Sequence, residues 1–340
     1  MSRVLAVRLD SDGDVLLTGP AVRALGALGP VDLLVAPQAA GAGALLPGVD
    51  RVLPFAAPWT GYRPPPFDAG EVARVVGALS GRYDRAVVFT SAHQSPLPAA
   101  LLLRLAGVGF VAATSGDYPG SLLDVRHRRA EGRHEVQAAL DLARAAGGHL
   151  RPGDDGGLAV RGPLPDVAPL LPGRPYVVLH PGASVPARAP RPAEARAYAA
   201  ALAADGWAVL VTGGPTERAV TAAVADGLAG VHDLGGATDL PALAAVLGSA
   251  AAVVVGNTGP AHLAAAVRTP VVSLFAPVVP AGRWAPYGVP SVLLGDQAAA
   301  CAGSRARACP VPGHPCLAGV SPAAVVAAVD RLAVREGVPA

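Results

Sequence analysis

The stretch VLAVRLDSDGDVLLTGP, Val4 to Pro20, decides the reading of the chain. An apolar run ends in Asp10, Asp12 and Asp14, and a second apolar segment follows at once. A short, continuously apolar strand that enters a helix through a tight polar turn is the opening of a β–α–β unit. In such units the turn is commonly a glycine loop whose backbone N–H groups receive a phosphate. Three carboxylates would repel one. Gly13 lets the backbone pass close, and Asp14 falls at the start of the helix, where the dipole favours a carboxylate. Two roles follow for Asp14. It can take a proton from a hydroxyl group, or it can cap the helix, as Asp12 can.

The same alternation continues outward along 340 residues, a length that suits two domains. In the first half, strands are expected at Val4–Leu9, Val31–Ala36, Arg51–Pro54, Arg85–Thr90 and Val108–Ala112. Helices fall near Val15–Leu28, Gly70–Leu79, Leu97–Ala106 and Arg133–Ala146. In the second half, strands are expected at Tyr176–His180, Ala208–Thr212, Val231–Leu234, Ala251–Gly256, Val271–Phe275 and Ser291–Leu294. Helices are expected at Ala193–Ala204, Glu217–Leu228, Leu240–Leu247, Ala261–Ala266 and Pro322–Arg335. The pattern is α/β, with parallel sheets covered on both faces. We divide it into a domain over 1–150, a Gly- and Pro-rich linker over 151–174, a second domain over 175–320 and a terminal helix over 321–340.

Apolar residues make up 52% of the chain and charged residues 15%, which excludes disorder as the general state. Lysine and isoleucine are missing, and Asn257 is the single asparagine. This is a compositional bias, and it hands every lysine task to arginine, a planar fork in place of a point charge. A net charge of +2 gives no polyanion footprint, so no nucleic-acid partner is expected. The densest basic run, Arg126, Arg128 and Arg129, reads as a solvated loop. The N-terminal apolar run is too short for a signal peptide, and Leu240–Pro260 is interrupted by Gly248, Ser249, Gly256 and Asn257, so it does not read as a membrane span. A cytoplasmic location is expected, with room for peripheral contact at the inner face of the membrane.

Ligands of doubly wound sheets sit at the carboxyl ends of the strands. In the second half those ends are HPGAS (His180–Ser184), TGGPTER (Thr212–Arg218) and GNTGPAH (Gly256–His262). They are glycine-rich and, apart from Glu217, free of carboxylates. Helix starts of this kind attract anions. Ser184, Thr212, Thr258 and His262 add donors, and Arg188 and Arg191 can neutralise phosphate oxygens. The first half therefore carries a base, and the second half a phosphorylated ligand.

Together, VLAVRLDSDGDVLLTGPAVRAL, VVLHPGASVPARAPRPAE, VLVTGGPTERA and VVVGNTGPAHLAAAVRTPVVSLFAPVVP resemble glycosyltransferase family 9, the heptosyltransferase-like enzymes; the segment CAGSRARACPVPGHPCL resembles that family's C-terminal region. The resemblance implies a GT-B fold: two Rossmann-like domains facing across a cleft, with the last helix packing back toward the first. It implies an inverting, metal-independent transfer of a heptose or other hexose-like sugar. The donor would be a nucleotide-diphosphate sugar, and the acceptor hydroxyl would belong to a glycan, glycolipid or small molecule. No metal and no cofactor would be needed. The family's base falls on Asp14, its Ser/Thr phosphate ligand on Ser184 and its phosphate-contacting lysine on Arg188. The donor-binding D-[ST]-G-x-x-H pattern falls on Asn257, Thr258, Gly259 and His262. Glu217 would hold the ribose, and the backbone at Gly182 would face the phosphates. Asn257 replaces the usual Asp, and Arg188 the usual Lys.

Other residues carry weaker signals. Cys301, Cys309, Cys316 and His314 lack the C-x2-C pair of a zinc site and read as a structural loop. His93 and Gln94, after a first-half strand, and the aromatics Trp59, Tyr62 and Phe67 are candidates for acceptor contact. Two other functions stay open: a sugar-nucleotide epimerase or hydrolase of the same fold, and a non-catalytic nucleotide-sugar-binding protein, which the Asp-to-Asn change at 257 would suit.

Overall fold

The computed structural model describes residues 3–61, 63–91 and 93–333. Of the sequence candidates, Tyr62 lies outside these residues, as do positions 334–335 of the last expected helix. The chain forms two compact units, Met1–Arg161 and Gly162–Ala340.

The first unit holds β1 (Val4–Arg8), β2 (Val31–Val35), β3 (Val49–Pro54), β4 (Arg85–Val88), β5 (Phe110–Thr114) and β6 (Val125–His127). They form one sheet in the order β3-β2-β1-β4-β5-β6, and every neighbouring pair is parallel. Its helices are α1 (Asp12–Leu25), α2 (Ala40–Leu45), α3 (Ala69–Leu79), α4 (Leu97–Leu105) and α5 (Glu135–Ala145). Central strands are buried along their whole length, and this is why they read as unbroken apolar runs. Helix α1 is buried on nearly every side, packs against α5, and accommodates Pro20 in its interior.

The second unit repeats the winding with β7 (Tyr176–His180), β8 (Ala208–Gly213), β9 (Val231–Gly235), β10 (Ala252–Gly256), β11 (Val271–Leu274) and β12 (Ser291–Leu294). Their order is β12-β11-β10-β7-β8-β9, again all parallel. The helices are α6 (Pro192–Ala204), α7 (Arg218–Ala225), α8 (Leu240–Gly248), α9 (Gly259–Ala266), α10 (Ala281–Trp284), α11 (Pro315–Ala318) and α12 (Pro322–Leu332). In both units the first strand lies beside the fourth, and the chain winds outward on either side. That junction is the switch point where ligands of such sheets gather: β1 beside β4 in the first unit, β7 beside β10 in the second.

The linker boundary shifts in detail. Residues 151–161, expected as the start of the linker, are tied to the first unit. Arg23 grips Asp154 with two hydrogen bonds of 2.7 Å, and Arg161 donates to the carbonyls of Leu46 and Val49. The apolar face of the terminal helix α12 (Val325, Ala328 and Val329) is buried in the core of the second unit, against α6 and the strands β10, β11 and β12. No described helix is long and apolar enough to cross a membrane.

Candidate functional site

At the end of β1 stands a residue whose importance the sequence reading missed. Arg8 is the last residue of the strand and is 3% exposed. Its Nε lies 2.9 Å from Asp10 Oδ2, and its Nη2 lies 2.9 Å from Asp14 Oδ1. The same Nη2 donates to Ser91 Oγ at 3.0 Å, linking β1 to the end of β4. Burial works against the charge of Arg8, but Asp10, Asp14 and Glu135 outweigh it and raise the guanidinium above its ordinary value. The signal available in the sequence was a single charged residue inside an otherwise apolar strand.

The three carboxylates of the opening stretch now separate. Asp10 is a structural partner of Arg8, held from its other oxygen by Gln94 Nε2 at 2.6 Å. Burial pushes its carboxyl up, against the pull of Arg8. Burial also pushes Asp12 up. The cap position belongs to Ser11, with Asp12 beginning the helix, so Asp14 falls in its first turn. Asp14 is bonded to Ser11 Oγ at 2.8 Å as well as to Arg8, and its side chain keeps 19% of its surface. Of the three, it is the carboxylate at the helix start that is both paired and accessible. Behind this group, Arg129 forms a two-pronged ion pair with Glu135, which is 3% exposed. Arg129 was expected in a solvated loop; the buried carboxylate at the start of α5 draws it inward.

Beside the same strand ends, a cavity of about 270 Å³ opens against Leu9, Trp59, Phe89, Thr90, His93 and Gln94. Trp59 is braced edge-on by Phe55, with ring centroids 5.6 Å apart. Phe67, expected near it, is 72% exposed.

In the second unit the corresponding strand end is His180, 5% exposed. Its Nδ1 is 3.0 Å from Thr212 Oγ1, and its Nε2 is 3.7 Å from Glu217 Oε2. Burial pushes the imidazole down, and Glu217 opposes this. Glu217 accepts from the backbone N–H of Gly214 at 2.8 Å and lies across Gly182, where an added Cβ would sit 1.9 Å from Oε1. A side chain at 182 would displace the Glu217 carboxylate packed on it. A second close approach joins the loops after β7 and β10. A Cβ at Gly256 would meet the Arg188 carbonyl oxygen at 2.3 Å, so Arg188 sits directly over the end of β10. Thr258 stands at the N-terminal boundary of α9 without a side-chain capping bond, Gly259 begins the helix, and His262 is buried on it. Ser184 is exposed at the tip of its loop.

The structure therefore brings the Arg188 backbone onto Gly256, and Gly182 beside Glu217, itself 3.7 Å from His180. Asn257 is tied to the backbone after β11. The Asn257 amide donates to the Ala276 carbonyl and accepts from the Ala276 N–H, both at 3.2 Å, locking the end of β10 to the residues after β11. The side chain expected to contact the donor thus also has a structural role, with one N–H and one lone pair of the amide used by backbone.

A cavity of about 460 Å³ lies next to Glu217, lined by Gly213, Gly214, Pro215, Gly236, Asp239 and Leu243. Cys301 and Cys316 are buried free thiols, and burial beside Cys301 pushes Cys316 up to about 12. His314 Nε2 sits 3.2 Å from the Ala187 carbonyl, and Ala187 donates to Arg307, so this segment braces the Arg188 turn. Among the described residues, no three His, Cys, Asp or Glu side chains are grouped to hold a metal ion.

The model of the family described as glycosyltransferase family 9 (heptosyltransferase) matches residues 72–313. The chain belongs to glycosyltransferase family 9. A curated relative of this glycosyltransferase, lipopolysaccharide heptosyltransferase 1 of Pseudomonas aeruginosa, is 33% identical over 307 residues, spanning 87% of this chain and 84% of the relative. Among solved structures, the E. coli heptosyltransferase WaaC with ADP-2-deoxy-2-fluoro heptose is similar at a TM-score of 0.73 and 25% identity, covering 97% of this chain and 99% of that one. The family 9 glycosyl transferase of Veillonella parvula shares the fold at a TM-score of 0.77 and 16% identity, over 97% of both chains. The two parallel six-stranded sheets are those of a GT-B enzyme.

Proposed function

We propose that this glycosyltransferase moves a heptose or other hexose-like sugar, with inversion, from a nucleotide-diphosphate donor to an acceptor hydroxyl. One observation carries the reading: the end of β1 gathers carboxylates around Arg8, whereas in the second unit the loops after β7 and β10 meet at Gly256, beside the start of a helix. The end of β1 presents Asp14 on the Arg8 ion pair. At the end of β10 the backbone of Arg188 rests on Gly256, next to the start of α9.

In the proposed reaction Asp14 accepts the proton of the acceptor hydroxyl as its oxygen forms a bond to the anomeric carbon. The bond from that carbon to the donor phosphate breaks, and its electron pair leaves with the nucleoside diphosphate. Arg188, Ser184, Thr258, His262 and the backbone near Gly182 and Gly259 are assigned to the phosphates, where developing negative charge needs prearranged donors. Glu217, beside the larger cavity, is assigned to the ribose. Guanidinium and helix dipole would do the work of a metal ion, which makes the transfer metal-independent. The acceptor would be a glycan, glycolipid or small molecule, met in the cytoplasm or at the inner face of its membrane. Asp14→Asn keeps the size of the side chain and removes the base. The expected outcome is a loss of about 10²–10⁴-fold in transfer rate, with donor affinity retained. Transfer at the parent rate would remove Asp14 as the base.

A further inference from the structure

The loops assigned to the donor are bound together by a segment that takes no part in the proposed chemistry. It runs from Cys301 to Cys316, and a thiol buried in the core of the second unit fixes each end. Between these anchors it pairs with two loops. Gly303 and Arg305 donate from their backbone N–H groups to the carbonyls of Pro277 and Val278, after β11, each at 2.8 Å. The Arg307 carbonyl accepts from the Ala187 N–H at 2.8 Å, and Arg307 Nη2 donates to the Ser184 carbonyl at 3.3 Å. His314 reaches back to the same turn, with Nε2 3.2 Å from the Ala187 carbonyl. A carbonyl only accepts, so Nε2 carries the proton. Both backbone groups of Ala187, the residue before Arg188, are therefore held by this strap. We propose that His314 is a positioning residue for the donor phosphates: through the Ala187 carbonyl it fixes the turn that presents Ser184 and Arg188.

Three features support this. The first is place. The Arg188 carbonyl rests on Gly256, and Asn257 ties the end of β10 to Ala276. With the strap added, the loops after β7, β10 and β11 form one connected body. A loop ordered in advance loses less conformational freedom when its ligand arrives. The second feature is backbone strain. His314 has φ of 54° and follows Gly313 at 81°, so two successive residues are left-handed. A side chain there costs free energy, and such a conformation persists only where its surroundings hold it. Glycine would occupy position 314 without that cost, so the imidazole has a use that offsets it. The third is burial. His314 is 8% exposed, and a buried N–H left without its acceptor is costly. The turn and the strap therefore hold one another. The link to phosphate rests on the donor reading of Ser184 and Arg188; the bracing of Ala187 does not.

Calorimetry on the full chain tests it. ADP, GDP and UDP are titrated into the parent, and the tightest is carried to the variants with its nucleoside as a phosphate-free control. The expected result is that His314→Ala weakens the diphosphate about fivefold, the scale of one net hydrogen bond, and leaves the nucleoside unchanged. His314→Gln keeps an N–H for the same carbonyl and should recover most of the loss. Arg307 is exposed, so Arg307→Ala is a variant that leaves the fold intact; it should weaken the diphosphate about twofold. Parent affinity in His314→Ala overturns the proposal. So does an equal loss for nucleoside and diphosphate, which would mark a general loosening of the unit, and so does a His314→Gln as weak as His314→Ala. Should His314→Ala fail to fold, Arg307→Ala decides, and parent affinity in that variant overturns the proposal. If none of the three nucleotides binds the parent chain, the donor reading falls and takes this one with it. If one binds and His314→Ala is without effect, the positioning role falls alone.

Discussion

The ends of β1 and β7 occupy the same place in two units of the same winding, yet they are built from opposite materials. Each strand finishes on a buried polar side chain, Arg8 in one and His180 in the other. Arg8 is fully charged and collects carboxylates around itself. His180 is pressed toward its neutral form, against Thr212 and at a longer distance from Glu217. One loop is therefore held by ion pairs between side chains. The other is held by glycines at 182 and 256 that let a carboxylate and a carbonyl come into contact with the backbone. The fold supplies the position at the switch point, and the last residue of the first strand differs in how it holds the loop that follows.

The strongest way to break the contrast is to remove the charge that organises the first loop. Arg8→Met leaves Asp10 and Asp14 facing one another without their common partner. Thermal or denaturant unfolding should show a loss of about 3–5 kcal/mol, the scale for stranding buried ionised groups, with transfer lost alongside. A smaller effect is expected at the other unit's switch point. Asn257→Asp keeps the acceptor for the Ala276 N–H but sets an oxygen against the Ala276 carbonyl. We expect a cost of about 1–3 kcal/mol near neutral pH. The cost should shrink as the pH falls, because a protonated carboxyl can donate where the ionised one cannot. Urea unfolding at two pH values checks both statements.

The smallest effect concerns His180. Burial depresses its folded pKa below the ordinary value of 6.5, so the unfolded chain binds more protons on acidification. The neutral-imidazole contribution is complete above the unfolded pKa. It is lost as the pH falls below that value, toward the depressed folded pKa. His180→Gln should flatten the decline in unfolding free energy across that window. An unchanged slope would show that the imidazole is not confined to its neutral form.

Much of the architecture was legible in residues 4 to 20 and their echo near 176. The strands Tyr176–His180 and Ser291–Leu294 match the expected limits, because buried parallel strands leave continuous apolar runs. β6 escaped, since an edge strand of three half-buried residues, Val-Arg-His, has no such run. The short helices α2, α10 and α11 escaped because a helix of 4–6 residues leaves little periodicity. The site was legible in outline only. Asp14 and Arg188 stand out by residue type and by place after a strand. Arg8, Gln94 and the Ala276 backbone form their contacts across 83, 84 and 19 residues of chain respectively, and pairings at that separation follow from topology, not from local pattern. Asn257 adds a role its rarity did not reveal: its amide fastens two loops.

The division of charge between the units is tested most directly by titrating a nucleoside diphosphate into three forms of the chain by calorimetry. The account predicts that Arg188→Ala weakens binding by about tenfold or more, as expected for losing a charge-assisted contact, while Asp14→Asn binds as the parent does. If Asp14→Asn weakens the nucleotide and Arg188→Ala leaves it unchanged, the phosphates belong to the first unit and the account is wrong.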